Sequence, residues 1–286
     1  MPIDYETFLA QDYAIINPLQ IPANAYRDLQ IMPLVPKDMA RHEPLMPLLT
    51  PLKTLPEFDR LLLADKLNLW AETHRMPLFC ALLQSAVAPA AMKIHWRRAT
   101  ILRRLNPSWR RFWLRLHDPR VFGHLRWILT PGQLWRLMGP IESWTWLDPW
   151  QTVWHEQCRP EPTEHPLSLE LDDGQWAMLD EVEALNICLK DIHDEYADGR
   201  QPDARQLMNE LLRARRAGLA DAEDRALYAM QSYQYGTRAH ATPLLANCLQ
   251  RAVEREVSYV QACAEMTPAD IHQAIQDMLL TDGAAP

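Results

Sequence analysis

The sequence predicts two lobes: an N-terminal mixed α/β lobe, of α/β or α+β class, followed by a C-terminal all-α helical lobe. Three observations lead there. Short apolar runs alternate with amphipathic stretches up to residue 158, whereas the later stretches keep a helical period. The run Arg159-Pro160-Glu161-Pro162, with Pro166, forbids helix and suits an extended linker. Charge also changes sign along the chain. Between Arg97 and Arg136 stand ten arginines against one acid, Asp118, a net +9, whereas from Glu161 onward 23 acidic residues face 10 basic ones, a net −13. The resulting boundaries are 1–158 for the α/β lobe, 159–172 for the linker and 173–286 for the helical lobe.

In the first lobe, Tyr13–Ile16 and residues 45–49 and 78–83 are apolar runs of strand length. Glu57–His74 and residues 90–104 carry helical spacing. Residues 111–117 alternate, with Phe112, Leu114 and Leu116 on one face and Trp113, Arg115 and His117 on the other, as in a half-buried strand. The strand is expected to run straight into a helix. Asp118 supplies its N-cap, Pro119 its first residue, and Phe122, Leu125 and Leu129 its buried stripe. Thr130 and Gln133 form a capping box for a short helix, which Gly139-Pro140 stops before a strand over 141–147. In the second lobe, helices are expected over 175–196, over 203–217 closed by Gly218, and over 221–235 closed by Gly236. Thr242-Pro243 opens a fourth running through Leu245, Leu249, Val253, Val257 and Val260, and Thr267-Pro268 opens a fifth through Ile271, Ile275, Met278 and Leu279.

Composition narrows the function classes. Hydrophobic residues at 48% and charged residues at 23% are the proportions of a chain with a real core. With no apolar run of the ~18 residues a membrane span needs, and no basic start followed by an apolar stretch, a cytoplasmic protein without membrane partners is expected. Cys80, Cys158, Cys188, Cys248 and Cys263 are odd in number and form no CxxC pair, which reads as reduced packing residues rather than disulfides or a zinc site. Glycine is scarce at 8 residues, and no phosphate-cradling loop, GxSxG or HExxH is present. His155 and Cys158, with His165 nearby, have ligand-like spacing but too few partners to complete a site. His117 and Asp118 resemble an acid/base pair, yet neighbours on a strand point to opposite faces, so Asp118 is better explained as a cap. Asp191, His193, Asp194 and Glu195 form a solvated acidic helix face. No catalytic residue, metal or cofactor is therefore expected.

Nine of the eleven tryptophans fall between Trp96 and Trp154, interleaved with the arginines. Basic residues mixed with aromatics are what single-stranded nucleic-acid binders use for phosphates and base stacking. Against this stands a net charge of −8, and several of these residues lie on core faces, so nucleic acid is the alternative rather than the leading partner. A hydrolase using His117 or His155 is a more distant third. Within the block, Arg103, Arg104, Arg110 and Arg111 flank an Asn106-Pro107 turn, where arginines are solvent-exposed, and they are the candidate partner-binding residues.

Residues 114–146 carry a further pattern: His117, then Asp118-Pro119-Arg120, Gln133-Leu134, Gly139-Pro140-Ile141 and Trp144. This resembles the signature of the Tap-type effector chaperones of type VI secretion. That family shows a strand ending in an aromatic or basic residue, then Asp-Pro-Arg, a helix, a short Gln-Leu helix, Gly-Pro-Ile and a Trp-bearing strand. Upstream, residues 78–85 are similar to the family's strand ending in Ser, and Ile94-His95-Trp96-Arg97-Arg98 to its His-Leu-Arg helix. Ile15-Ile16-Asn17-Pro18 departs from it, standing where the family often has Asp-Gly. The likeness covers residues 13–154. It implies a non-enzymatic cytoplasmic adaptor that binds a cognate secreted effector and helps load it onto the spike protein or its tip. Asp118, Pro119, Arg120, Gly139, Pro140 and Trp144 would be structural residues of that signature.

Overall fold

The computed structural model describes residues 2–74, 76–104, 110–150, 153–161, 168–195 and 202–283. Contacts divide the chain into two units, Met1–Asp172 and Asp173–Pro286. The first is an antiparallel sheet with helices and the second is all-helical, so the class is α+β with a helical C-terminal region. Among the described residues no helix is long and apolar enough to cross a membrane.

The strands of the first unit are β1 (Tyr13–Ile16), β2 (Met32–Pro33), β3 (Leu48–Pro51), β4 (Ala81–Gln84), β5 (Ile101–Arg104), β6 (Arg110–Trp113), β7 (Ser143–Leu147) and β8 (Trp154–Cys158). Six of them form one sheet in the order β2-β3-β1-β4-β7-β8, each pair antiparallel. The inner strands β1, β3 and β7 are buried at every position. β1 accordingly reads as a continuous apolar run, whereas β7 still alternates, with Ser143 and Thr145 on either side of Trp144, and both are buried. The helices are α1 (Tyr5–Leu9), α2 (Glu57–His74), α3 (Pro89–Ala99), α4 (Pro119–Ile128) and α5 (Pro131–Met138). β1 and α2 take the bounds that the sequence predicts.

Three expectations for this unit need correction. The helix over 90–104 ends at Ala99, where the Thr100 hydroxyl bonds back to the Trp96 carbonyl, and residues 101–104 leave as β5. The strand over 111–117 is β6 alone, and it pairs only with β5, in a separate two-stranded sheet. It does not run straight into α4, because Leu116 N–H bonds to Leu114 O and Asp118 N–H to Arg115 O, a tight turn between them. Its alternation fails accordingly: Leu114 and Leu116 are buried, but Phe112 is 36% exposed. The apolar run at 45–49 starts late as a strand, since Lys37–Leu45 is 3-10 helix containing Pro44. The Asn106-Pro107 turn, like Pro162 and Pro166 of the linker, lies outside the described residues.

The second unit holds α6 (Asp173–Asp180), α7 (Val182–Glu195), α8 (Ala204–Arg216), α9 (Ala222–Tyr235), α10 (Pro243–Val253), α11 (Tyr259–Cys263) and α12 (Pro268–Gly283). The single helix expected over 175–196 breaks at Glu181, a fully buried carboxylate ion-paired to Arg225 at 2.6 Å and Arg215 at 3.1 Å. The fourth helix breaks after Val253, where Arg255 takes φ +62° and Ser258 opens α11 with its own capping box. Gly218 and Gly236 close α8 and α9 at φ +106° and +90°, values that suit glycine. A core of Leu219, Tyr228, Leu245, Cys248, Tyr259 and Ile271 binds the second half of this unit. Inside it Tyr259 donates to Gln231 at 2.7 Å, and the His240 ring stacks 3.5 Å from that of Tyr228.

Candidate functional site

Asp118 closes the turn after β6 and caps α4. Its Oδ1 accepts from the Arg120 N–H at 3.0 Å and from Arg120 Nε at 3.0 Å. Its Oδ2 accepts from Arg120 at 2.9 Å and from Arg115 at 2.9 Å. The residue is 3% exposed. Burial pushes the carboxyl pKa up, but the Arg120 and Arg115 guanidiniums and the Arg120 N–H outweigh it and hold the group below its ordinary value. Pro119 occupies the first turn of α4, where its missing N–H leaves nothing unpaired. The Asp-Pro-Arg run is thus a cap, a rigid start and a clamp on the cap.

Downstream, Thr130 and Gln133 make both bonds of the predicted capping box, and α5 ends at Gly139 with φ +56° and ψ −114°. A Cβ on Gly139 would fall 2.2 Å from His95 Cε1. His95 Nε2 in turn lies 3.0 Å from Leu137 O, and Ser85 donates to Pro140 O at 2.8 Å. The Gly139 carbonyl also accepts from Arg159. Trp144, on β7, stacks on Phe122 of α4 at 4.2 Å and on Trp96 of α3 at 5.6 Å. Ser85, His95 and Trp96, from the weaker upstream likeness, therefore touch the same turn and strand as Gly139, Pro140 and Trp144.

His117 is buried, its Nδ1 has no hydrogen-bond partner, and its ring stacks on Trp113 at 5.7 Å. Burial pushes its pKa down to about 4, so it is neutral near pH 7. His155 and Cys158 lie three apart on β8 and so point to opposite faces, with His155 stacked on Trp146. His165 is outside the described residues. Among the described residues no group of three or more His, Cys, Asp or Glu side chains is placed to hold a metal ion. Asp191, His193, Asp194 and Glu195 are all exposed on α7, with Asp194 paired to Lys190 at 2.8 Å.

The four candidate partner-binding arginines meet on the β5–β6 hairpin. Arg103 stands opposite Arg111, and Arg104 opposite Arg110. Arg103, Arg110 and Arg111 are exposed and Arg104 is half-buried. Arg111 pairs with Asp38. The hairpin itself escapes a reading based on helical period, although one signal announces it. Ile101-Leu102-Arg103-Arg104 and Arg110-Arg111-Phe112-Trp113 mirror each other about the turn, as antiparallel partners do. Set against protein-family models, curated proteins and solved structures, the chain matches none of them.

Proposed function

We propose that this chain is a cytoplasmic adaptor of type VI secretion, a non-enzymatic protein that holds a cognate effector and helps load it onto the spike protein or its tip. The reading rests on the likeness of residues 114–146 to the Tap-type signature. One structural observation supports it: segments of that likeness meet, with Ser85 bonding to Pro140, His95 lying beside Leu137 O and Trp96 stacking on Trp144. Asp118, Pro119, Arg120, Gly139, Pro140 and Trp144 shape the scaffold in this reading, and partner contact falls to the hairpin arginines, the exposed Arg103, Arg110 and Arg111 and the half-buried Arg104. Nucleic acid is the weaker alternative, because Trp96, Trp144 and Trp146 are buried at 2% exposure or less and present no face to a base.

Affinity purification of the tagged full chain from its native host, followed by mass spectrometry, tests the proposal. One large effector, with or without spike protein, is the expected companion. Recovery of nucleic acid and no polypeptide would overturn it.

A further inference from the structure

We infer that the β5–β6 hairpin is a docking arm for an acidic stretch of the partner polypeptide, a refinement that rests on the adaptor reading above. Directly opposed residues of an antiparallel pair share a face with Cβ atoms roughly 5 Å apart, and like charges so placed destabilise the pair. Here two successive rungs are both Arg against Arg, one on each face of the hairpin. A two-stranded ribbon has little stability to spare for such repulsion. What anchors it is apolar and lies at its base, where Leu102 is 4% and Leu114 8% exposed. The outer half is left to the arginines.

The internal counter-charge does not reach every arginine. Asp38 pairs with Arg111, while among the described residues the exposed Arg103 and Arg110 have no ion-pair or side-chain hydrogen-bond partner. Strand alternation puts Arg104 and Arg110 on the face of Phe112, and Arg103 and Arg111 on that of Ile101 and Trp113. Each face therefore offers one exposed, unpaired guanidinium, Arg103 on one and Arg110 on the other, beside apolar surface. Guanidinium binds carboxylate in bidentate fashion, and the neighbouring ring suits the methylenes of a glutamate. A few carboxylates fit this site better than a phosphate chain does. Asp38 borders the arginines, and a chain of net charge −8 repels an extended polyanion while a local patch still steers a short acidic segment.

The test uses the full chain, a fluorescent peptide carrying about four glutamates among neutral residues and an oligothymidine of about the same charge, each followed by anisotropy at low salt. The peptide should bind, weaken about tenfold in Arg103→Gln/Arg110→Gln, and weaken again between about 50 and 300 mM salt. Both substituted residues are exposed and each faces another arginine, so the variant should melt with or slightly above the wild type, which separates lost contact from lost fold. Equal peptide affinity in the two proteins, or tighter binding of the oligothymidine than of the peptide, would overturn the inference. The same variant used as bait separates the two proposals. An effector captured equally by variant and wild type removes the docking arm and leaves the adaptor standing. If the wild type captures no effector the adaptor falls, and the peptide titration still decides whether the hairpin takes acidic chains.

Discussion

Replacing Asp118 by Ala should unfold the first unit more easily and do so in a pH-dependent way. The carboxylate caps α4, and loss of an N-cap costs about 0.5 to 2 kcal/mol. It also holds Arg115 and Arg120, whose side chains are 48% and 38% exposed and so rehydrate when released. Screening limits each of those pairs to roughly 0.5 kcal/mol, which brings the expected loss to about 1.5 to 3 kcal/mol. Asp118→Asn keeps an acceptor for the Arg120 N–H and should lose about 1 kcal/mol less. Urea unfolding followed by tryptophan fluorescence reads this unit selectively, because ten of the eleven tryptophans lie in it. The sign of the pH effect follows from the lowered pKa. The folded carboxyl titrates below its unfolded value of about 3.9, so its contribution is complete above that value and is lost as pH falls through the folded pKa. The gap between wild type and Asp118→Ala should therefore narrow as pH falls below the unfolded value. An alanine variant within about 0.5 kcal/mol of wild type at neutral pH, or a gap that ignores pH, would refute the cap-and-clamp account.

Gly139→Ala should lose about 3 kcal/mol or more in the same assay, since φ +56° with ψ −114° suits glycine alone and the new methyl would meet the His95 ring; retention of wild-type stability would show that the turn relaxes freely. His117 titrates near 4 when folded and near 6.5 when unfolded, so the stability it lends above the unfolded value is lost as pH falls through that window. The first unit should lose about 2 kcal/mol between about pH 7 and pH 5, and His117→Phe should flatten much of that slope, leaving the part due to His95, which burial shifts the same way. A glutamate-specific protease at low dose should cut after Glu164 or Glu170 and release two folded pieces, as the division at Asp172 implies; cleavage scattered through both units would argue for one fused core.

Local signals survived translation into structure better than long-range ones. The caps at Asp118, Thr130 and Thr242 and the stops at Gly139, Gly218 and Gly236 depend on one or two neighbouring residues, and each is found where its residue type places it. Two of the misplaced boundaries involve a distant partner. Residues 101–104 have enough helical spacing to extend α3, yet pairing with β6 wins. Glu181 sits well within a helical period, yet two arginines from α8 and α9 draw it into a buried ion pair at the break. Phe112 alternates correctly with Leu114 and Leu116, but the turn after Trp113 puts it on a different surface. The arginine patch was legible as composition, whereas its rung-by-rung opposition required the register.

The strand order has a consequence for the order of folding. β4, in the middle of the sheet, pairs on one side with β1 and on the other with β7, so the segment carrying α3, the hairpin, α4 and α5 must emerge before the sheet can close. During synthesis β4 waits with one edge bare while those elements are made, and pairings of such high sequence separation are slow. The second unit, built from helices that contact near neighbours in sequence, carries no comparable delay. Cover for the bare edge of β4 is accordingly tied to the arrival of Ser143–Leu147 from the ribosome, and a chain truncated ahead of those residues should expose β4 to pairing with other chains.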